Sequence, residues 1–206
     1  KYPRTLQKDA VLLESLGVHF VFAPTPEEMY STEEMQTRFS FDFNGLDEVM
    51  EGKMRPGHFN GVVQVVSRLF ELVRPTRAYF GEKDFQQLAI IRHMVEHSAL
   101  SSHFNNLKIV GCPIVREASG LALSSRNERL SDSEKQTAVA ISQTLLASVE
   151  WAKTDSIEAV QKRVIDTINA IDGLEVEYYE IVDKSTLQPT TTFDNAIGCV
   201  TVYCGP

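Results

Sequence analysis

Three short segments carry side chains able to handle a phosphate ester. Tyr79-Phe80-Gly81-Glu82-Lys83-Asp84-Phe85-Gln86-Gln87 sets a glycine at the end of a β-prone run, then a lysine, an aspartate and, one helical turn on, a glutamine. If a strand ends at Gly81 and a helix starts just beyond, the crevice at the strand's carboxyl end is where ligands of open α/β sheets sit. Glycine would let the backbone turn sharply there. The first free N–H groups of the helix and its positive dipole end favour an anion. Lys83 adds a mobile positive charge, Asp84 suits a helix cap or a ribose hydroxyl, and Gln87 offers donor and acceptor to a hydroxylated substrate. The plainer alternative is the solvated first turn of a helix.

The second segment, Val115-Arg116-Glu117-Ala118-Ser119-Gly120-Leu121-Ala122-Leu123-Ser124-Ser125-Arg126-Asn127, combines small residues, hydroxyls and a guanidinium. Such a loop can close over a triphosphate, with Ser124 and Ser125 donating to phosphoryl oxygens and Arg126 neutralising charge on the leaving group. Read alone, it serves equally as a polar linker between domains. The third, Glu51-Gly52-Lys53-Met54-Arg55-Pro56-Gly57-His58-Phe59-Asn60-Gly61, is a tight loop with anion-binding potential in Arg55 and His58, or simple punctuation before a helix.

His93-Met94-Val95-Glu96-His97 matches H-x-x-E-H, the inverted zinc-protease signature. Projected on a helix, however, both histidines fall opposite Leu88, Ile91 and Val95, towards solvent, and no third ligand is evident. No metal site is expected. His19 and His103 look incidental, and Cys112, Cys199 and Cys204 read as small buried residues rather than nucleophiles.

The elements needed to position these groups are legible as patterns. Leu6, Ala10, Leu13 and Leu16 recur at helical spacing before Gly17, and His19 to Phe22 reads as a strand. Residues 25–48 read as a long loop. A helix is expected over Val62 to Arg74, with Val62, Val65, Val66, Leu69 and Val73 on its inner face and Pro75 ending it. A strand over Arg77 to Phe80, a helix over Asp84 to His97 and a strand over Leu107 to Val110, extended by Pro113 to Val115, complete a βαβ-like alternation. That alternation predicts a parallel sheet covered by helices.

Beyond Arg126 the pattern changes. Ser131-x-x-Glu134 is a capping box for a helix from Asp132 to Lys153, with Ala138, Ile141, Leu145, Val149 and Ala152 as its apolar stripe. Asp155-x-x-Glu158 opens another, with Val160, Val164, Ile168 and Ile171 inward. Strands over Glu175 to Val182 and Ala196 to Tyr203 follow. The fold class is therefore α/β, a helix-covered parallel sheet over residues 1–114 and a smaller α+β domain over 115–206.

Composition narrows the partners. Twenty Lys and Arg against 28 Asp and Glu leave a net charge of −8. That is a poor balance for a general nucleic-acid binder, whose affinity comes from cations on the phosphate backbone. No apolar run approaches the roughly 18 to 20 residues of a membrane span. An odd number of cysteines with no C-x-x-C pair argues against a disulfide framework and for a reducing, cytoplasmic setting.

Taken in order, Tyr2-Pro3-Arg4-Thr5, Glu51-Gly52 with Arg55-Pro56-Gly57-His58-Phe59, Phe80-Gly81-Glu82-Lys83-Asp84 with Gln86-Gln87, and Leu121-Ala122 with Ser124-Ser125-Arg126-Asn127 resemble the motifs of the pantoate–β-alanine ligase (pantothenate synthetase) family. The resemblance implies a partial Rossmann-like, nucleotidyltransferase-type domain over residues 1–114, a C-terminal lid, a homodimer, and ATP with Mg²⁺ as nucleotide and ion. It implies an AMP-forming condensation of pantoate with β-alanine through pantoyl adenylate. By matching positions, Gly81, Glu82, Lys83 and Asp84 would hold ATP, with Lys83 on the phosphates and Asp84 towards the ribose. Gln87 would bind pantoate and Val115 would meet the adenine through its backbone. Leu123, Ser124, Ser125 and Arg126 would cover the phosphates, and Arg55 and His58 would border the cleft. Lys83, Ser124, Ser125 and Arg126 are the catalytic candidates.

Two departures stand out. Ser119 occupies a position where the family usually has Asp. The family's H-x-G-H-type histidine signature for the ATP phosphates, and a further glutamine for pantoate, have no counterpart in residues 1–206. Both ends look cut, and the chain by itself is expected to be nearly inactive. Two alternatives stay open: a non-catalytic dimerising or nucleotide-binding fragment, and another adenylyl-transferring enzyme of the same architecture.

Overall fold

In the computed structural model, residues 5–33, 39–97, 104 and 106–205 are described. Tyr2-Pro3-Arg4 and His103 lie outside them. The chain forms two compact units, residues 1–39 and 40–206.

The first unit contains α1 (Leu6–Ser15) and the short α2 (Pro26–Met29). Helix α1 forms as the leucine spacing predicts, but buries none of its residues. The strand expected over His19 to Phe22 does not form, and Phe20 is 92% exposed. A β-prone run becomes a strand only when a neighbour accepts its ladder hydrogen bonds, and these residues have no such neighbour among the described ones. The expected loop over 25–48 contains α2, started by a capping box between Thr25 and Glu28 with Pro26 in the first turn.

The second unit begins with turns leading to α3 (Met50–Met54) and α4 (His58–Val73). The expected start at Val62 is one turn late. The buried face of α4 is Phe59, Val63, Ser67 and Phe70, whereas Val65 and Val73 are 43% and 53% exposed. Valine recurs on several sides of this helix, so apolarity alone did not select the face. The aromatics did: Phe70 packs edge-on against Phe80 and Phe104 at centroid distances of 6.3 and 5.9 Å. Arg74 ends the helix in the left-handed region ahead of Pro75.

Strand β1 (Arg77–Gly81) runs through a 3₁₀ turn, Glu82–Asp84, into α5 (Phe85–His97), and β2 (Lys108–Cys112) returns parallel to β1. The register pairs Arg77 with Lys108 and Gly81 with Cys112. The strand stops at Cys112 because Pro113 has no N–H for the ladder. Gln86, Leu88, Ile90, Ile91 and Met94 are the buried residues of α5.

Helices α6 (Asp132–Trp151) and α7 (Ile157–Asn169) pack on an antiparallel pair, β3 (Leu174–Asp183) and β4 (Ala196–Cys204). The Ser131–Glu134 capping box is present with both of its bonds. Helix α7 buries Ile157, Val160, Val164 and Ile168 against Leu174, Tyr179 and Ile181. Ile141, Leu145 and Ala152 join this core from α6 and the residue that ends it, but Val149 is 61% exposed, so the α6 stripe is narrower than expected. Each fully buried aliphatic here contributes about 1.5–3 kcal/mol. Arg163 stacks over Trp151 at 4.0 Å and ties α7 to the end of α6.

Candidate active site

Gly81 ends β1, paired in the parallel ladder with Cys112 of β2. Its backbone is ordinary extended chain, φ −70° and ψ 134°, so the sharp turn expected there is absent. The direction changes in the 3₁₀ turn that follows instead. A Cβ at Gly81 would meet no protein atom within 4 Å, so glycine here leaves the strand end open for close approach by a ligand. Lys83 lies beyond it, Nζ 3.3 Å from Asp84 Oδ1, with both side chains largely in solvent. Glu82 points elsewhere: a Cβ added at Gly111 would lie 2.9 Å from Glu82 Oε1 and 3.2 Å from Arg92 Nη2. Glu82 and Arg92 thus close over β2 and border a cleft of about 1260 Å³ between α5 and the residues at 184–188 and 196–198. Lys83, Gln87 and Arg126 are not in its lining.

The segment 115–130 is an ordered hairpin and turn rather than a slack linker. Arg116 pairs with Ala122 in an antiparallel bridge, Leu123 N–H donates to Val115 O at 3.0 Å and Glu117 N–H to Leu121 O at 2.8 Å. Gly120 takes φ +97° at the tip, which a side chain would resist. Ser119 Oγ accepts from Leu121 N–H at 3.3 Å, the local turn bond that an aspartate also makes, and so braces the hairpin tip. Ser124 caps the 3₁₀ turn Ser125–Arg129 by accepting from Arg126 N–H at 3.2 Å, and Asn127 Nδ2 donates to Ala122 O at 2.9 Å. Arg126 is therefore presented by a braced turn.

Helix α3 brings the third segment into line. Glu51 pairs with Arg55, and its Oε1 lies 3.6 Å from His58 Nε2. The His58 pKa is held below its ordinary 6.5 chiefly by burial, then by the Arg55 guanidinium, with Glu51 opposing and Arg126 adding to the depression. Arg126 thus reaches the field of the Arg55–His58 pair from a distant part of the sequence. In β3, burial pushes the Tyr178 hydroxyl pKa up, its hydrogen bond with the Thr201 side chain opposes this, and the Glu51 carboxylate adds a smaller push upward. Arg55 and His58 are brought together on Glu51, Arg126 acts on His58 through space as the smallest contribution, and Lys83 sits with Asp84.

The residue that joins the two halves is Gln86. Buried at 5% exposure, it donates from Nε2 to Leu46 O at 2.7 Å and Val49 O at 2.8 Å, and accepts from Gly52 N–H at 3.3 Å through Oε1. It binds the first turn of α5 to the start of α3. A glutamine beside Gln87 carried no sequence signal of burial; only its place on the inner face of α5 reveals it. Gly52 itself admits no side chain, since a Cβ would lie 2.2 Å from Asp47 O.

His93 and His97 stack at 4.4 Å, His93 Nε2 lies 3.1 Å from Asp42 O and His97 Nδ1 lies 3.1 Å from His93 O. His93 is half-buried against Phe41 rather than free on the solvent face. Among the described residues no group of three or more His, Cys, Asp and Glu converges as a metal cage. The three thiols are free, and burial pushes the Cys199 pKa up to about 11.

The family model for pantoate-beta-alanine ligase matches residues 1–206. The chain belongs to the pantoate–β-alanine ligase family. It is 59% identical to the pantothenate synthetase of Phocaeicola vulgatus and 55% identical to that of Bacteroides fragilis, in each case across the whole chain and 71% of the relative. A crystal structure of pantothenate synthetase from Thermus thermophilus superposes with a TM-score of 0.89 at 41% identity, over 99% of this chain and 72% of that one. The ligase from Francisella tularensis, solved with β,γ-ATP and β-alanine, superposes with a TM-score of 0.68 at 28% identity, over 98% of this chain and 71% of that one. The α/β architecture is thus that of the family's nucleotidyltransferase-type fold, with the small antiparallel sheet as its second part.

Proposed function

We propose that this chain supplies the nucleotide-handling surface of an ATP-dependent ligase that condenses pantoate with β-alanine. The observation that carries the reading is the family match over residues 1–206, and Gln86 supports it by tying the helix that leads to Arg55 to the strand end followed by Lys83. In the first step a pantoate carboxylate oxygen forms a bond to the α-phosphorus of ATP, and the bond to the bridging oxygen breaks to release pyrophosphate. In the second, the β-alanine amine forms the amide bond, the acyl–phosphate C–O bond breaks, AMP leaves and the amine sheds a proton. Neither step needs a covalent enzyme intermediate, so positioning and charge neutralisation are what the protein contributes.

In this reading Gly81 and Glu82 meet ATP through backbone, Lys83 through the phosphates and Asp84 through the ribose, and Gln87 binds the pantoate hydroxyls. Val115 meets the adenine through its amide, its carbonyl being committed to Leu123. Leu123, Ser124, Ser125 and Arg126 cover the phosphates. Mg²⁺, which the family resemblance implies, would accompany the ATP and supply neutralisation of phosphate charge. Residues 1–114 serve as the nucleotide domain and 115–206 as the lid.

A homodimer in a cytoplasmic setting belongs to the same reading, supported by the three free thiols and by the family resemblance. No helix among the described residues is long and apolar enough to cross a membrane. The test is calorimetric titration of wild type and R126A with Mg·ATP, which needs no turnover from a chain expected to be nearly inactive by itself; weaker binding by R126A is the expected result, and equal affinities refute the reading.

A further inference from the structure

Helix α3 starts without a capping side chain of its own. Its N-cap residue is Val49, which makes no side-chain cap bond, and Met50 enters the helix at φ +45°, an uncommon conformation for a side-chain-bearing residue. A five-residue helix started this way has little intrinsic stability. The missing cap comes from elsewhere in the fold. Gly52 is the third residue of α3, the position whose N–H an N-cap serine or aspartate would satisfy. That N–H donates to Gln86 Oε1, 34 residues away, while Gln86 Nε2 holds the Leu46 and Val49 carbonyls of the turn leading in. All three polar bonds are buried or part-buried, and an amide is the one side-chain type of this length with an acceptor and two donors for them.

We propose that Gln86 is a positioning residue that caps α3 in trans and thereby sets where Glu51 presents Arg55 and His58 to the nucleotide crevice. Glu51 follows Met50 at the start of the capped turn and holds both Arg55 and His58. Gln86 in turn lies between Asp84 and Gln87 on the helix that leaves the strand end. One buried amide therefore sets the spacing between the lysine side of the crevice and its arginine–histidine side. Its role in turnover rests on the ligase reading above; its hold on α3 does not.

The experiment uses the 206-residue protein and reads His58 directly. The charged groups facing His58 are Glu51, Arg55 and Arg126. If Gln86 caps α3, Gln86→Met, which keeps the volume and removes all three bonds, loosens Glu51 and Arg55 together around His58. The His58 imidazole titration, followed by NMR, then rises towards its ordinary value, because burial and the Arg55 guanidinium, which lower it, outweigh the Glu51 carboxylate, which raises it. Gln86→Glu keeps an acceptor for Gly52 but sets a carboxylate against two carbonyls; it shifts the same titration at neutral pH and reverts towards wild type as its carboxyl protonates. Ile90→Val, one turn along the buried face of the same helix, lowers stability while leaving all three Gln86 bonds in place, and leaves His58 unchanged. A His58 titration identical in wild type, Q86M and Q86E overturns the proposal, as does an equal shift in I90V. Shifted titrations with unaltered Mg·ATP binding would keep the cap and refute the ligase reading of the Arg55–His58 pair.

Discussion

Replacing Lys83 with Ala tests the phosphate-binding role with a magnitude set by its surroundings. Among the described residues Lys83 has one ionic partner, Asp84 at 3.3 Å, with the side chains 41% and 57% exposed. An exposed pair of this kind contributes about 0.2–1 kcal/mol, so its loss barely changes stability. A charge-assisted bond from the ammonium to a phosphate oxygen contributes about 1.5–3 kcal/mol. Binding must break the Lys83–Asp84 pair to form it, which leaves a net of about 0.5–2.8 kcal/mol. K83A is therefore expected to bind Mg·ATP about 2- to 100-fold more weakly than wild type, on the order set by tenfold per 1.4 kcal/mol. Calorimetric titration reads this without turnover, and a melting curve checks that the midpoint moves by no more than about 2–4 °C. Equal affinities, or no heat from Mg·ATP with either protein, would refute the reasoning. A large loss of melting temperature in K83A would show that the residue is structural.

Ile168 is wholly buried in the α7–β3 core, so Ile168→Ala should cost about 2–5 kcal/mol in urea unfolding; a cost under about 1 kcal/mol would mean that this core is not packed as described. Ser131→Ala removes the hydroxyl that accepts from Glu134 N–H and should cost about 0.5–2 kcal/mol, with helix content falling first at the start of α6 in hydrogen exchange. Burial and the Arg55 and Arg126 guanidinium groups depress the His58 pKa, so folding favours the neutral ring. Its contribution to stability is then present above the unfolded value near 6.5 and lost as pH falls through the lower folded value. Melting temperature measured from about pH 7.5 down to about 5 should fall, and fall less in His58→Gln; matching curves would contradict this.

Local chemistry sufficed for the parts of the fold whose instructions are short. The Ser131–Glu134 box, the apolar spacing of Val160, Val164 and Ile168, and the alternation of Arg77 to Phe80 with a following helix each specify an element through neighbours three or four residues away. The strand end at Gly81 and the helix start just beyond it were legible for the same reason, since a strand followed by a helix is itself a local statement. What failed were readings that depended on distant partners. His19 to Phe22 has the composition of a strand but no ladder to join among the described residues. The inner face of α4 was decided by Phe59 and Phe70 finding aromatic and core neighbours, not by the valine count.

The amino-acid sequence by itself determined the family, the order of elements and the chemical types at the site, because these are carried by contiguous motifs and by periodicities within single helices and strands. Only the tertiary structure decided that Arg126 shares a field with Arg55 and His58, that Glu82 turns away towards Arg92, and that Gln86 is a buried cap rather than a solvated neighbour of Gln87. These depend on the distance between segments far apart in the chain, which no local pattern encodes and only the packing of one element on another can set.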